Sequence, residues 1–418
     1  MRVGGRGLRV RRLGGTRAGE IRLTRFLRNP SVTPREMVLA AADRARGRCA
    51  GRHVLAIQDT TVFKSQGGGG LYLHAMLAID ADDDAILGLV HADILVRDGG
   101  KRAARRNLPV SAKESRRWLE GADQAAQVCA SADRVTVIAD RESDIFEAFA
   151  RRPGSVDLLV RAAQDRCLED GGRLFARVDG LPPAASALLS LPARPGTKAR
   201  QARVAVRFMS AVLARPRNGA DPSLPAGVTV NLVDVREIDP ADGQVVHWRL
   251  LTTLKVEDAG QALAVADLYR RRWAIEQLFR TLKTQGFDIE GLRIEDDVPR
   301  CNLVMAALVA AITVQQLVHA RDGKTGPSPL RPLIDAFEPE DTPLIEALCA
   351  TLQGKTDRQK NPHPRGSLAY AAWVCARLGG WTGYYGKPGP VVMLQGWLQL
   401  QAAKQGFNLT VNPDVRIQ

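Results

Sequence analysis

Apolar positions along this chain recur with two periods, and the order in which those periods alternate predicts its elements. HVLAIQDTTVF (53–63) begins as a short apolar run and turns polar at Asp59, while LYLHAMLAID (71–80) and AILGLVHADILV (85–96) are rich in apolar and β-branched residues. Runs of this length and composition predict three neighbouring strands. SAKESRRWLEGADQAAQVC (111–129) carries the spacing of a long amphipathic helix, and RVTVIAD (134–140) reads as a buried strand. ESDIFEAFARR (142–152) begins another helix and VDLLVRA (156–162) another strand, so the predicted order is βββαβαβ.

Between about Cys167 and Trp248 the text changes to short alternating strands such as ARVAVRFM (202–209) and GVTVNLVDV (227–235), set apart by Pro and Gly, which predicts a β-rich insertion. From Gly260 to Thr284 the helical period returns as one long helix, and CNLVMAALVAAITVQQLVHA (301–320) continues it beyond a break at Pro299. The remainder to 418 reads as mainly helical. A polar, basic loop (GKTDRQKNPHPRG, 354–366) precedes SLAYAAWVCARLGGW (367–381), where Gly379 and Gly380 are placed to end a helix. Ahead of the first strand, SVTPREMVLAAADRA (31–45) predicts a helix capped at Ser31 with Pro34 in its first turn.

Charge changes the picture by naming a partner. Lys and Arg number 59 against 45 Asp and Glu, a formal charge of +14, which favours a polyanion such as nucleic acid and also suits an anionic membrane surface. Residues 1–28 hold nine arginines and one acid, Glu20, among glycines; such an arm is expected to stay flexible until it meets an anion, and translation begun upstream of the true start would read the same way. The six cysteines are scattered, without CxxC spacing or a secretory run before them, which predicts a reduced cytoplasmic compartment. The longest apolar stretch, Leu303 to Val314, falls short of a membrane span and predicts a buried helix instead.

Three acids stand out by position: Asp59 after HVLAIQ, Asp140 after VTVIA, and Glu276 within YRRRWAIEQLFRTLK. In a mixed sheet the carboxyl ends of neighbouring strands meet on one rim, and a helix crossing that rim can add a third carboxylate. Hard oxygen donors of this kind suit Mg²⁺ or Mn²⁺. Two such ions activate a water or hydroxyl and stabilise the leaving oxygen in phosphodiester cleavage. Spacing alone leaves open that the aspartates merely cap turns. On a helix Tyr269, Arg272, Glu276 and Lys283 share one face, so the cations could hold phosphates beside the acid, although the same spacing also describes a salt-bridged surface helix.

DTT at 59–61, DRESD at 140–144 and Tyr269, Arg272, Glu276, Lys283 at Y(2)R(3)E(6)K spacing together resemble the motifs of DDE transposases of the insertion-sequence-four family, with GSLAYAAWVCARLGG extending the resemblance over roughly 20–400. It implies an α/β fold: a ribonuclease-H-like mixed-sheet core over 51–300, interrupted by the β-rich insertion at about 167–248. A basic arm and remnant of N-terminal DNA-binding helices (1–50) and a helical C-terminal region (301–418) that mediates dimerisation complete the division. Asp59, Asp140 and Glu276 are then the catalytic, metal-binding residues for two Mg²⁺ ions, with Mn²⁺ as substitute. Tyr269, Arg272, Lys283, Arg280 and Arg161 are DNA contacts, and Trp248 receives a flipped base, although core packing or solvation also accounts for Trp248, Arg161 and Arg280. Thr60 and Thr61 are expected to shape a turn that aims Asp59, and Arg141 and Glu142 to pair in support of Asp140.

The resemblance further implies cut-and-paste transposition: a nick at the transposon end frees a 3′-hydroxyl, which forms and reopens a hairpin before joining target DNA. The partners are double-stranded DNA at both ends and at the target, bound by a homodimer at the nucleoid, with no membrane. Only 58 residues precede Asp59, fewer than similar enzymes carry. The alternative is therefore a shortened, non-transposing regulator that blocks full-length chains; a plain metal-dependent nuclease ranks behind both.

Overall fold

The computed structural model describes residues 8–64, 70–96, 113–191, 199–217, 221–240, 245–292, 294–323 and 330–411. It opens with three helices, α1 (Val10–Gly14), α2 (Arg17–Arg28) and α3 (Pro34–Cys49). The described part of the arm is thus helical, because α2 has an apolar side to bury. Leu27 is 1% exposed, and the Asn302 amide donates to the carbonyls of Leu27 and Val32, fastening this corner to the body. The cap of α3 is Thr33, whose hydroxyl accepts the Glu36 N–H, with Pro34 at the first helical position.

Next come β1 (His53–Lys64), β2 (Gly70–Asp80), β3 (Ile86–Val96), α4 (Arg116–Val128), β4 (Arg134–Ala139), α5 (Phe146–Arg151) and β5 (Val156–Arg161). Then follow α6 (Leu174–Asp179), β6 (Ala185–Leu191), β7 (Arg200–Ala214), β8 (Gly227–Glu237) and β9 (His247–Thr252). The rest is helical: α7 (Ala259–Arg270), α8 (Trp273–Lys283), α9 (Asp297–Ala320), α10 (Thr342–Leu352), α11 (Leu368–Leu378) and α12 (Pro390–Val411). Among the described residues the strands form one nine-stranded sheet in the order β3-β2-β1-β4-β5-β9-β8-β7-β6. β1, β4 and β5 run parallel, and the other pairings are antiparallel. The strands of the β-rich segment therefore do not stand apart; β9 pairs with β5 and carries the same sheet onward.

Alternation along the strands divides the core in two. Leu55, Ile57, Leu73, Leu77 and Ile138 face one way and pack with residues of α7 to α12. Val54, Ala56, Met76, Val135 and Val137 face the other way, toward α4, α5 and α6. α9 is long and apolar enough to cross a bilayer by length and composition, yet 67% of its most apolar window is buried inside the protein. It is the central helix of the first core layer, and Pro299 lies in its first turn, where a missing N–H costs nothing.

Two local outcomes differ from the periodicity. β1 continues past Asp59 to Lys64, because Asp59 to Lys64 all keep antiparallel partners on β2; Thr60 and Thr61 therefore lie within a strand and form no turn. The long helix predicted from Gly260 to Thr284 is two helices. At Arg271 and Arg272 the backbone N–H groups bond three residues back, to Leu268 and Tyr269. Both guanidiniums are drawn inward at this joint, Arg271 to the Ala81 carbonyl and Arg272 to two carboxylates.

Candidate active site

The register between parallel strands sets the first two acids. The β1–β4 ladder pairs Val54 with Val135 and ends at Ile57 with Ile138; carrying that register two residues further puts Asp140 beside Asp59. By alternation both side chains share the face of Ile57 and Ile138, the face that α8 covers. α8 buries Ile275, Leu278, Phe279 and Leu282 against the core, which leaves Glu276 at the margin of its buried side. So a strand interior, a strand end and a helix bring three carboxylates to the same side of the sheet, within one another's electrostatic reach.

The hydrogen bonds there centre on one cation. Arg272 donates from Nη1 to Asp59 Oδ2 at 2.8 Å and from Nη2 to Glu276 Oε1. The other Asp59 oxygen accepts the Thr60 N–H at 2.7 Å, and Asp140 Oδ1 accepts the Glu142 N–H at 2.9 Å. Burial pushes Asp59 up to about 6; Asp140 and Glu276 add to this against the opposing Arg272 cation and the Thr60 N–H. Burial works against the Arg272 cation, but Tyr269, Asp59, Glu276 and Asp140 around it outweigh this and its pKa is raised. One buried guanidinium is thus held in a field of three acids.

Beside it, Tyr269 is buried and lies edge-on to Trp248 at 5.4 Å between ring centroids, with the Arg161 and Arg272 cations in its surroundings. Burial raises its phenol pKa, so the ring carries a neutral hydroxyl at ordinary pH. Arg161 also donates to the His247 carbonyl at 2.9 Å. Trp248 is 8% exposed, its ring covered by this packing. Lys283 reaches β1 beyond Asp59, donating to the Val62 carbonyl at 2.7 Å with Phe63 beneath it. Arg280 stands aside, its bond being to Gln277 at 3.4 Å. The structure thus gathers Asp59, Asp140, Glu276, Arg272, Tyr269, Arg161 and Trp248, with Lys283 at the downstream edge.

The expected pairing of Arg141 with Glu142 is replaced by another. Glu142 receives Arg117 of α4 at 2.7 Å, while Arg141 lies on the surface. Arg117 escaped sequence reasoning because, within an amphipathic helix, one polar position looks like any other; its neighbour Trp118, 2% exposed, was the available sign that this side faces inward.

The donor chemistry suits a divalent ion: three carboxylates share one field, hard oxygen is the only donor type, and a positive group already sits among them. As the side chains stand, Arg272 holds the position between Asp59 and Glu276, and among the described residues no three Asp, Glu, His or Cys groups are gathered about a common point. Asp59 also gives a prediction for the metal-free protein. Its folded pKa lies above the unfolded value of about 4, so the folded state keeps a proton that the unfolded state has lost as pH rises from about 4 to about 6. Stability therefore falls across that window, and the cost is fully present above it. Denaturant melts from pH 4 to 7 are expected to show Asp59→Asn gaining on the wild type as pH rises; a pH-independent difference would contradict the shift.

A family model described as "Transposase DDE domain" matches residues 48–312, from the end of α3 into α9, well over half of the chain. That span contains every strand of the sheet and all three carboxylates. This chain therefore belongs to the DDE-domain transposase family, whose substrate is DNA.

Proposed function

We propose that the chain excises a DNA element by cutting at its ends and joins those ends to target DNA, with Asp59, Asp140 and Glu276 as the metal-binding, catalytic carboxylates. The observation that carries this reading is their delivery to one face of the sheet around Arg272. Asp59, Asp140 and Glu276 would hold two Mg²⁺ ions, whose chemistry would be to activate a water or 3′-hydroxyl and to stabilise the leaving oxygen. Arg272, Arg161 and Lys283 offer donors to phosphate oxygens, and the fork of Arg272 suits two oxygens at once. The Tyr269 hydroxyl, with the Arg161 and Arg272 cations in its surroundings, is a neutral donor. A base stacking on Trp248 requires that ring to leave its contact with Tyr269.

The strand order β3-β2-β1-β4-β5, three antiparallel strands followed by two parallel ones, supports a ribonuclease-H-like core over 51–300 extended by the strands of 167–248. For dimerisation through 301–418, the support is an exposed apolar stripe on α12, where Val391 and Leu398 lie seven residues apart on one helix face. Metal removal tests the function. Purified chain given DNA that carries both element ends is expected to cut it with Mg²⁺ or Mn²⁺ and to stop in EDTA, with binding retained. Cutting that persists in EDTA would overturn the reading, and binding without cutting under any metal would favour a regulator.

A further inference from the structure

The β1–β4 ladder stops at Ile57 and Ile138, two residues short of Asp59 and Asp140. Beyond that point no backbone bond of the sheet joins the two strands at the aspartates. A side chain from the opposite face of the sheet spans the distance. Gln58 and Thr60 point away from Glu276, and there Arg117 donates from Nε to Thr60 Oγ1 at 3.2 Å, from Nη2 to Glu142 Oε2 at 2.7 Å and from Nη1 to the Glu114 carbonyl at 2.9 Å. Two of the three branches end one step from an aspartate: the Thr60 N–H holds Asp59 Oδ1, and the Glu142 N–H holds Asp140 Oδ1.

We propose that Arg117 is a positioning residue for DNA cleavage, fixing Asp59 and Asp140 in one mutual register through Thr60 and Glu142. This rests on the metal-dependent reading above. The surroundings are built for such a clamp. Arg117 is 8% exposed and lies over the Trp118 ring at 5.1 Å. Behind Thr60, His74 is fully buried and donates and accepts along a chain from Thr60 Oγ1 (3.0 Å) to Gln58 Oε1 (3.2 Å), which leaves the Thr60 oxygen free to accept from Arg117. Gly121 lets α4 come this close, since a Cβ there would stand 2.3 Å from Gln58 Oε1. The three acceptors are met from three separate nitrogens of one plane, a spread that the three donors on lysine's single nitrogen do not span.

The test measures Mn²⁺ binding to the full chain by the loss of free-ion EPR signal, beside urea unfolding. Arg117→Lys and Glu142→Gln are each expected to weaken Mn²⁺ binding about tenfold or more, and the double variant to be no weaker than the worse single one. Glu142 has a side chain 62% exposed, so Glu142→Gln is expected to unfold at the wild-type urea midpoint, which separates positioning from stability. Thr60→Ser, which keeps the hydroxyl, is expected to bind like wild type, and Thr60→Val like Arg117→Lys. Wild-type Mn²⁺ affinity in folded Glu142→Gln, with binding still abolished by Asp140→Asn, would overturn the clamp and leave the metal reading standing. Absence of Asp140-dependent Mn²⁺ binding in the wild type would overturn both.

Discussion

Asp140→Asn is expected to lower the rate of strand cleavage by about 10³-fold or more, roughly 4 kcal/mol of barrier, while binding to end DNA stays within a few-fold of wild type. The substitution preserves shape. A carboxamide oxygen can still accept the Glu142 N–H, so the 3₁₀ turn Arg141–Ser143 that follows β4 keeps its cap. What is lost, on the proposed chemistry, is one of the three negative charges that would hold a pair of divalent ions. On the same chemistry the three carboxylates act as a unit, so adding Glu276→Gln to Asp140→Asn should cost little more. Single-turnover cleavage of labelled end DNA measures this; an Asp140→Asn enzyme retaining a tenth of the wild-type rate would remove Asp140 from the chemistry.

A second substitution in the same segment is expected to act on stability instead. Asp144→Ala should cost about 3–5 kcal/mol, read as a fall in the urea midpoint. Asp144 is completely buried as a side chain and accepts from Arg166 Nε at 2.8 Å and Nη2 at 2.6 Å, while its other oxygen takes the Ala163 and Gln164 N–H groups at 2.7 and 3.1 Å. It therefore ties the turn after β4 to the chain leaving β5. Removing it strands a guanidinium only 8% exposed and two backbone donors. Asp144→Ala combined with Arg166→Met should recover part of the loss by taking away the stranded charge. An Asp144→Ala midpoint equal to wild type would show that this pair holds nothing together.

From α3 to β5 the strands and helices were legible because their periods are clean and each is bounded by turn residues. Three features were not. Asp59 read as the end of a strand, since the apolar run stops there, but the limit of β1 is set by its pairing with β2, which no local pattern records. The helix carrying Tyr269 and Glu276 read as continuous, because the joint at Arg271 and Arg272 arises from side chains pulled toward Ala81 and Asp59, 190 and 213 positions away in the sequence. Arg117 was invisible as a partner of Glu142 for the same reason: an ion pair across 25 residues is decided by packing, not by propensity. The acids were singled out by motif, and Arg272 with them as a phosphate contact, whereas its bonds to Asp59 and Glu276 are visible only in three dimensions.

The distance in sequence between Asp59 and the helix that completes its surroundings has a biological consequence on the proposed chemistry. A polypeptide released from the ribosome before α8, or clipped ahead of it by a protease, holds two of its acids and lacks Arg272 and Glu276 altogether. On that chemistry such fragments would lack the power to break a strand, because Glu276 is missing from them.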